Sequence, residues 1–257
     1  MKIGAYQFGV TGDIERNFRA IERAVGLAVK QGVHLLVFPE CALTGYPPLK
    51  TTVKAIDFSV VEQYVDALDS LAVENDMYLM VGSVTHVEAR TCNTALLFGP
   101  DGRINPPYHK RALWGWDREN FAPRGASGIY EIDGCRVGVR ICFEVRFPEF
   151  FRELYRAKTD LNLVLFCDVA DRDDPERYEL IRATLRTRAM ENTTAILSVN
   201  DTAPYQTAPT AVFLEDGTVA AELPRGEEGL LMWDFTPMQA NLSMRGRRAL
   251  SDELISM

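Results

Sequence analysis

Two short runs, VHLLVF at 33–38 and LNLVLF at 161–166, constrain the fold more than any other feature of the chain. A strand whose successive residues are nearly all apolar has no face for water and must be covered on both sides. Each run is bracketed by helical patterns. Before the first, Asp13 stands as an N-cap, and Phe18, Ile21, Val25 and Ala28 recur at helical spacing until Gly32 ends the helix. A second stripe, Phe58, Val61, Val65, Leu68 and Ala72, predicts a helix over 58–75. Helices are likewise predicted at about 147–157 and over 175–191, flanking the second run.

Between these lie strand and hairpin signals. KIGAYQF at 2–8 reads as a first strand; MYLMVGSVTHV, TCNTALLFG and RINPPYHK follow, with a Gly-Pro-Asp-Gly turn at 99–102. IYEIDGCRVGVRIC predicts a hairpin turning at Asp133-Gly134, TTAILSVN a strand, and TAPTAVFLEDGTVAAEL a hairpin turning at Asp216-Gly217. Strands alternate with helices first, and hairpins follow, which predicts a mixed-sheet α/β protein with helices outside the sheets. No repeat or Gly/Ser-rich linker divides the 257 residues, so a single domain over 1–257 is expected.

Composition narrows the function classes. Apolar residues make up 47%, enough for a sizeable core, and the formal net charge of −8 disfavours a general nucleic-acid binder. No stretch is long and apolar enough to span a membrane, and the N-terminus lacks a secretory pattern. The cysteines, Cys41, Cys92, Cys135, Cys142 and Cys167, are odd in number and form no C-x-x-C pair. That argues against a disulfide framework or zinc site and for a reducing cytoplasm. His34, His86 and His109 are scattered, so no metal centre is expected.

Glu40, Lys110 and Cys142 each follow directly on a predicted strand. Ligand sites in open α/β sheets cluster beyond strand ends. A carboxylate there could take the proton of a thiol, and an ammonium could stabilise an oxyanion. Spacing alone leaves the ordinary readings open: a small buried hydrophobe for Cys142, a turn or cap residue for Glu40, a solvated charge for Lys110.

The residues around these positions resemble the nitrilase-like carbon–nitrogen hydrolase superfamily. LLVFPECALTGYPP at 35–48 is similar to its glutamate segment, PYHKRALW at 107–114 to its lysine segment, and VGVRICFEVRFPEFFREL at 137–154 to its cysteine segment. RTRAMENTTAILSVN at 186–200 is similar to its Arg-Ala-x-Glu-Asn helix and strand. The resemblance implies a four-layer αββα sandwich of two mixed sheets and a triad of Glu40, Lys110 and Cys142, with the backbone N–H of Phe143 as second oxyanion donor. It implies cleavage of a non-peptide carbon–nitrogen bond in a small ω-amide or N-carbamoyl amine through a cysteine thioester, without metal or organic cofactor. Acyl transfer, nitrile hydrolysis and a catalytically silent binding or scaffold protein are the alternatives. A homodimer or higher homo-oligomer is implied, with a C-terminal tail, about 236–257, packing on a partner subunit.

Two departures from the family pattern stand out. Many members carry a further glutamate in the loop after the lysine, four residues before the Phe of a Phe-x-Pro-Gly motif. In WGWDRENFAPRG that position is Asp117, with Glu119 as competitor. The hairpin at 207–217 has Pro209 and Ala211 in place of Gly-x-Ser, a change expected to affect packing. Tyr46 is read as pocket wall or loop brace. Trp114 and Trp116 are read as pocket wall or as filling for a shortened loop at 111–127. Arg146 and Glu149 invite a substrate-carboxylate role but, at the start of a helix, are read as a structural ion pair or cap; Glu144 is read as support for the nucleophile. Asp168 and Asp171 could attract an amine-bearing substrate, Arg172 a carboxylate.

Overall fold

The computed structural model describes residues 1–237 and 240–256. The first half of the chain runs β1 (Lys2–Gln7), α1 (Ile14–Lys30), β2 (Leu35–Val37), α2 (Phe58–Glu74), β3 (Tyr78–Val87), β4 (Arg90–Gly99), β5 (Gly102–His109) and α3 (Asp117–Asn120). Then come β6 (Ile129–Ile132), β7 (Cys135–Ile141), α4 (Pro148–Arg156), β8 (Leu161–Phe166), β9 (Val169–Ala170) and α5 (Pro175–Asn192). The chain closes with β10 (Ala195–Asn200), β11 (Tyr205–Gln206), β12 (Ala211–Phe213), β13 (Val219–Glu222), β14 (Gly229–Asp234) and α6 (Leu242–Ser256).

Two mixed sheets of six strands form, ordered β14-β1-β2-β3-β4-β5 and β13-β12-β10-β8-β7-β6. The doubly apolar runs lie near the middle of each. In β2, Leu35 and Val37 face the other sheet, while Leu36 and the following Phe38 face α1 and α2. In β8, Leu161, Leu163 and Leu165 face the sheet interface, while Val164 and Phe166 face α4 and α5. Three apolar layers therefore separate four layers of structure, the αββα sandwich. Period-2 alternation sends every residue of a central strand into one core or another, which is why neither run could carry a polar stripe.

Local expectations hold closely. Asp13 caps α1 through a bond from Arg16 N, and Asp133-Gly134 turns the β6–β7 hairpin with both residues at positive φ. The ladder of β2 spans three residues, flanked by His34, whose N–H donates to Lys2 O and whose C=O accepts from Tyr78 N, and by Phe38, whose N–H donates to Met80 O. The loop at 111–127 contains the one-turn helix α3. Edge strand β14, antiparallel to β1, and helix α6 go beyond the predicted elements, as do α3 and the short strands β9 and β11. The C-terminal tail docks α6 on its own chain. Tyr155 OH donates to Arg248 O and Asp252 Oδ1, and Arg248 Nε donates to Thr193 Oγ1.

Candidate active site

Glu40, Lys110 and Cys142 converge beyond the strand ends, at the floor of a cavity of ≈ 360 Å³. Its size falls within the range of small-molecule sites. Glu40 follows β2 in the first sheet but is stitched to the second. Its N–H donates to Phe166 O, and its Oε2 accepts the N–H of Cys167 at 2.8 Å. Oε1 accepts from Lys110 Nζ at 2.9 Å and from Asn93 Nδ2 at 2.7 Å. The backbone here is packed against Gly82, where a Cβ would lie 2.2 Å from Pro39 O and 2.7 Å from Glu40 Cα. Only glycine permits that approach.

Lys110 sits where β5 ends, buried, with Asp117 Oδ2 2.8 Å from its Nζ. Asp117 is the first residue of α3 and fully buried; Tyr46 OH donates to its other oxygen at 2.5 Å. Glu119, two residues on, is exposed. The acid beside the lysine is therefore Asp117, and Glu119 is excluded because the helical turn points it to solvent. Burial works against the Lys110 charge, but Glu40, Cys142 and Asp117 outweigh it and hold its pKa well above the ordinary value.

Cys142 stands at the turn from β7 into a short 3₁₀ turn over Cys142–Arg146, with φ +45°, a conformation few non-glycine residues adopt. This sharp turn lifts the thiol out of the sheet into the cavity. Phe143 is the second residue of that turn, so its N–H has no partner within it. Burial, then the Glu40 carboxylate, push the thiol well above its usual pKa, against the pull of Lys110. The thiol is accordingly neutral at rest, and moving its proton to Glu40 shifts negative charge within the site without adding any.

Glu144 is a hub. Its Oε1 accepts from Tyr108 OH and Arg111 N, both at 2.7 Å, and its Oε2 from Ile141 N at 2.7 Å. One buried carboxylate thus ties the lysine segment to the cysteine turn.

The remaining sequence candidates divide. Tyr46 is both wall and brace. Trp114, 58% exposed, and Trp116 both line the cavity, and Trp116 also packs edge-on against Tyr46 and Phe121 within the loop. Arg146 lines the cavity with its guanidinium over Phe143 and makes no ion pair with Glu149. Asp168 lines the cavity but is already paired with Arg177, while Asp171 and Arg172 are exposed and off the cavity wall. Asn93, Cys167 N–H and Arg177 escaped sequence reading. For Asn93 a signal existed: a lone amide within the apolar strand TCNTALLFG. Among the described residues no cluster of His, Cys, Asp or Glu could hold a metal, and no helix is long and apolar enough to cross a membrane.

A thiol, a carboxylate and an ammonium held together beyond the ends of two packed sheets define a thiol-dependent hydrolase site. The profile of the carbon–nitrogen hydrolase family matches residues 2–240. The chain belongs to that family. It is 25% identical over 213 residues to a hydrolase of Mycobacterium tuberculosis, spanning 79% of this chain and 73% of the relative. It is 26% identical over 201 residues to an ω-amidase of Xenopus tropicalis, spanning 74% and 71%. An amidase from Nesterenkonia sp. superposes with a TM-score of 0.83 at 23% identity, over 99% of this chain and 96% of that one. A variant of that amidase bears the acetamide moiety of fluoroacetamide covalently at its active-site cysteine.

Proposed function

We propose that the chain hydrolyses the carbon–nitrogen bond of a small ω-amide or N-carbamoyl amine through a thioester on Cys142. The observation that carries this reading is the convergence of Glu40, Lys110 and Cys142 on one cavity, with the Glu40 carboxylate bonded to Lys110 Nζ at 2.9 Å.

Glu40 takes the thiol proton as sulfur attacks the carbonyl carbon. The C=O π pair moves onto oxygen, where Lys110 Nζ and the Phe143 N–H stabilise it. Collapse of this adduct breaks the C–N bond as Glu40 passes its proton to nitrogen, and ammonia or an amine leaves. Water, deprotonated by Glu40, attacks the thioester. The C–S bond breaks, the acid departs and the proton returns to sulfur. Asp117 and Tyr46 hold Lys110 in place. The similarity to an ω-amidase supports an amide over a nitrile.

The test is ammonia release over a panel of amides, carbamoyl compounds and nitriles. Turnover of amides that disappears in Cys142→Ala, while Cys41→Ala, Cys92→Ala and Cys135→Ala keep it, is expected. Near-native turnover by Cys142→Ala would overturn the reading. Five unpaired cysteines support a reducing, cytoplasmic setting. Exposed Leu242, Leu250 and Leu254 on α6 support contact with a second copy, which sedimentation would test.

A further inference from the structure

Asp168 is 5% exposed on the cavity wall, and its two carboxylate oxygens are used unequally. Oδ1 accepts from Arg177 Nε at 2.8 Å, from Arg177 Nη2 at 2.8 Å and from Thr207 Oγ1. Oδ2 takes no hydrogen bond from the described residues, nor is it sealed from the cavity. The backbone beneath is pinned on both sides. Asp168 N–H donates to Asn200 Oδ1 at 2.9 Å, and its C=O accepts from Asn200 Nδ2 at 2.8 Å and Thr207 N at 2.9 Å. The open oxygen is therefore held in one place rather than free to turn away.

Arg177 completes the pattern. Nε and Nη2 are committed to Asp168, and Nη1 has no partner among the described residues. The wall thus offers an anionic acceptor and a cationic donor side by side. Arg146, on the same cavity and in no ion pair among the described residues, adds a second guanidinium. Counted together, Asp168, Arg177 and Arg146 carry one excess positive charge.

A desolvated carboxylate oxygen is best met by a charged donor, and a guanidinium edge by a carboxylate. A neutral aliphatic amide would leave Asp168 Oδ2 and the open guanidinium edges without a charged partner. A plain ω-carboxylate would satisfy the arginines but set an anion against Asp168 Oδ2. One small group carries both complements, an ammonium and a carboxylate on the same carbon.

We propose that Asp168, Arg177 and Arg146 form a subsite for an α-amino-acid head group, with the ammonium on Asp168 Oδ2 and the carboxylate on the two guanidinia. The substrate is then an ω-amide of an α-amino acid. This rests on the amide-hydrolase reading but is tested apart from it, by binding to the Cys142→Ala protein. Calorimetry compares L-glutamine with glutaramate, 4-aminobutanamide and butanamide, which share its carboxamide and lack the ammonium, the carboxylate or both. L-Asparagine, succinamate, 3-aminopropanamide and propanamide repeat the series one carbon shorter.

In at least one series the amino acid should bind about tenfold or more tightly than either half-compound, the gain expected for one charge-assisted hydrogen bond. Asp168→Asn in that background should erase the preference over the compound lacking the ammonium. Arg177→Gln should erase the preference over the compound lacking the carboxylate. The subsite is overturned if, in both series, the amino acid binds no more tightly than its neutral or desamino counterpart. Wild-type turnover of the same compounds separates the two claims: preferential binding of the amino acid with no hydrolysis of any member would remove these ω-amides from the hydrolase reading and leave the subsite standing.

Discussion

Glu40 and Lys110, 70 residues apart, meet in a 2.9 Å ion pair in which neither side chain is more than 2% exposed. The pair belongs to a charge chain, Glu40–Lys110–Asp117, with two carboxylates on one ammonium. A net negative charge therefore stands beside a thiol that must give up its proton. In the proposed mechanism Glu40 accepts that proton and Lys110 remains cationic throughout. Each group in the chain has a measurable consequence.

In the proposed mechanism Glu40 acts twice, activating the thiol and then the water that clears the thioester. A thiol keeps some nucleophilicity without its base, whereas water at neutral pH has far less. Glu40→Gln should slow both steps and leave an acyl adduct on Cys142, seen by intact-protein mass spectrometry with a reactive amide and lost in the Glu40→Gln, Cys142→Ala double variant. Asp117→Asn should lower activity without trapping an adduct. Wild-type turnover by Glu40→Gln would remove Glu40 from the mechanism.

Lys110→Ala should lower kcat by on the order of 100-fold or more, with a smaller change in KM, because its charge matters most when the oxyanion forms. The same variant leaves Glu40 and Asp117 buried without their shared cation, a loss of about 3–5 kcal/mol. Its melting temperature should fall at pH 7. A loss confined to KM would contradict the oxyanion role.

Gly82→Ala tests the close approach behind the base. The new Cβ would meet only backbone, at 2.2 Å from Pro39 O and 2.5 Å from Cys41 N. Glu40 must shift, so turnover should drop well over tenfold, with about 1–3 kcal/mol of lost stability. Gly26→Ala is the control: it lies within α1 with open space around it, and should stabilise by about 0.5–1 kcal/mol. Unchanged kinetics in Gly82→Ala would show that the base tolerates displacement.

His109, buried beside Lys110 with Nδ1 2.9 Å from Thr94 Oγ1, has its pKa pushed down to about 4 by burial, with a lesser contribution from Arg124. An unfolded histidine titrates near 6.5, so between these values the unfolded chain binds the extra proton and the folded chain does not. Stability should therefore fall as pH drops from about 6.5 towards 4, by up to roughly 3 kcal/mol from this group. Urea midpoints measured across that window should show a flatter slope in His109→Asn than in the wild type.

Much of this architecture is legible in one dimension because it follows from period. Leu35 to Phe38 and Leu161 to Phe166 announce strands buried on both faces. Asp13, the 58–75 stripe and Asp133-Gly134 announce their cap, helix and turn through local backbone chemistry. The segments around Glu40, Lys110 and Cys142 were likewise readable, since each carries its own local pattern. What only the tertiary structure decided are the meetings between distant residues. Asp117 and Glu119 are the same chemistry two positions apart, and a single helical turn buries one against Lys110 and turns the other to water. Cys167 N–H reaches Glu40 across 127 residues, and Asn200 at the end of β10 and Thr207 in the loop after β11 fix Asp168. Such contacts are set by how two sheets stack and where their strands end, and a hydrogen bond to a side chain leaves no periodic mark on the sequence that makes it.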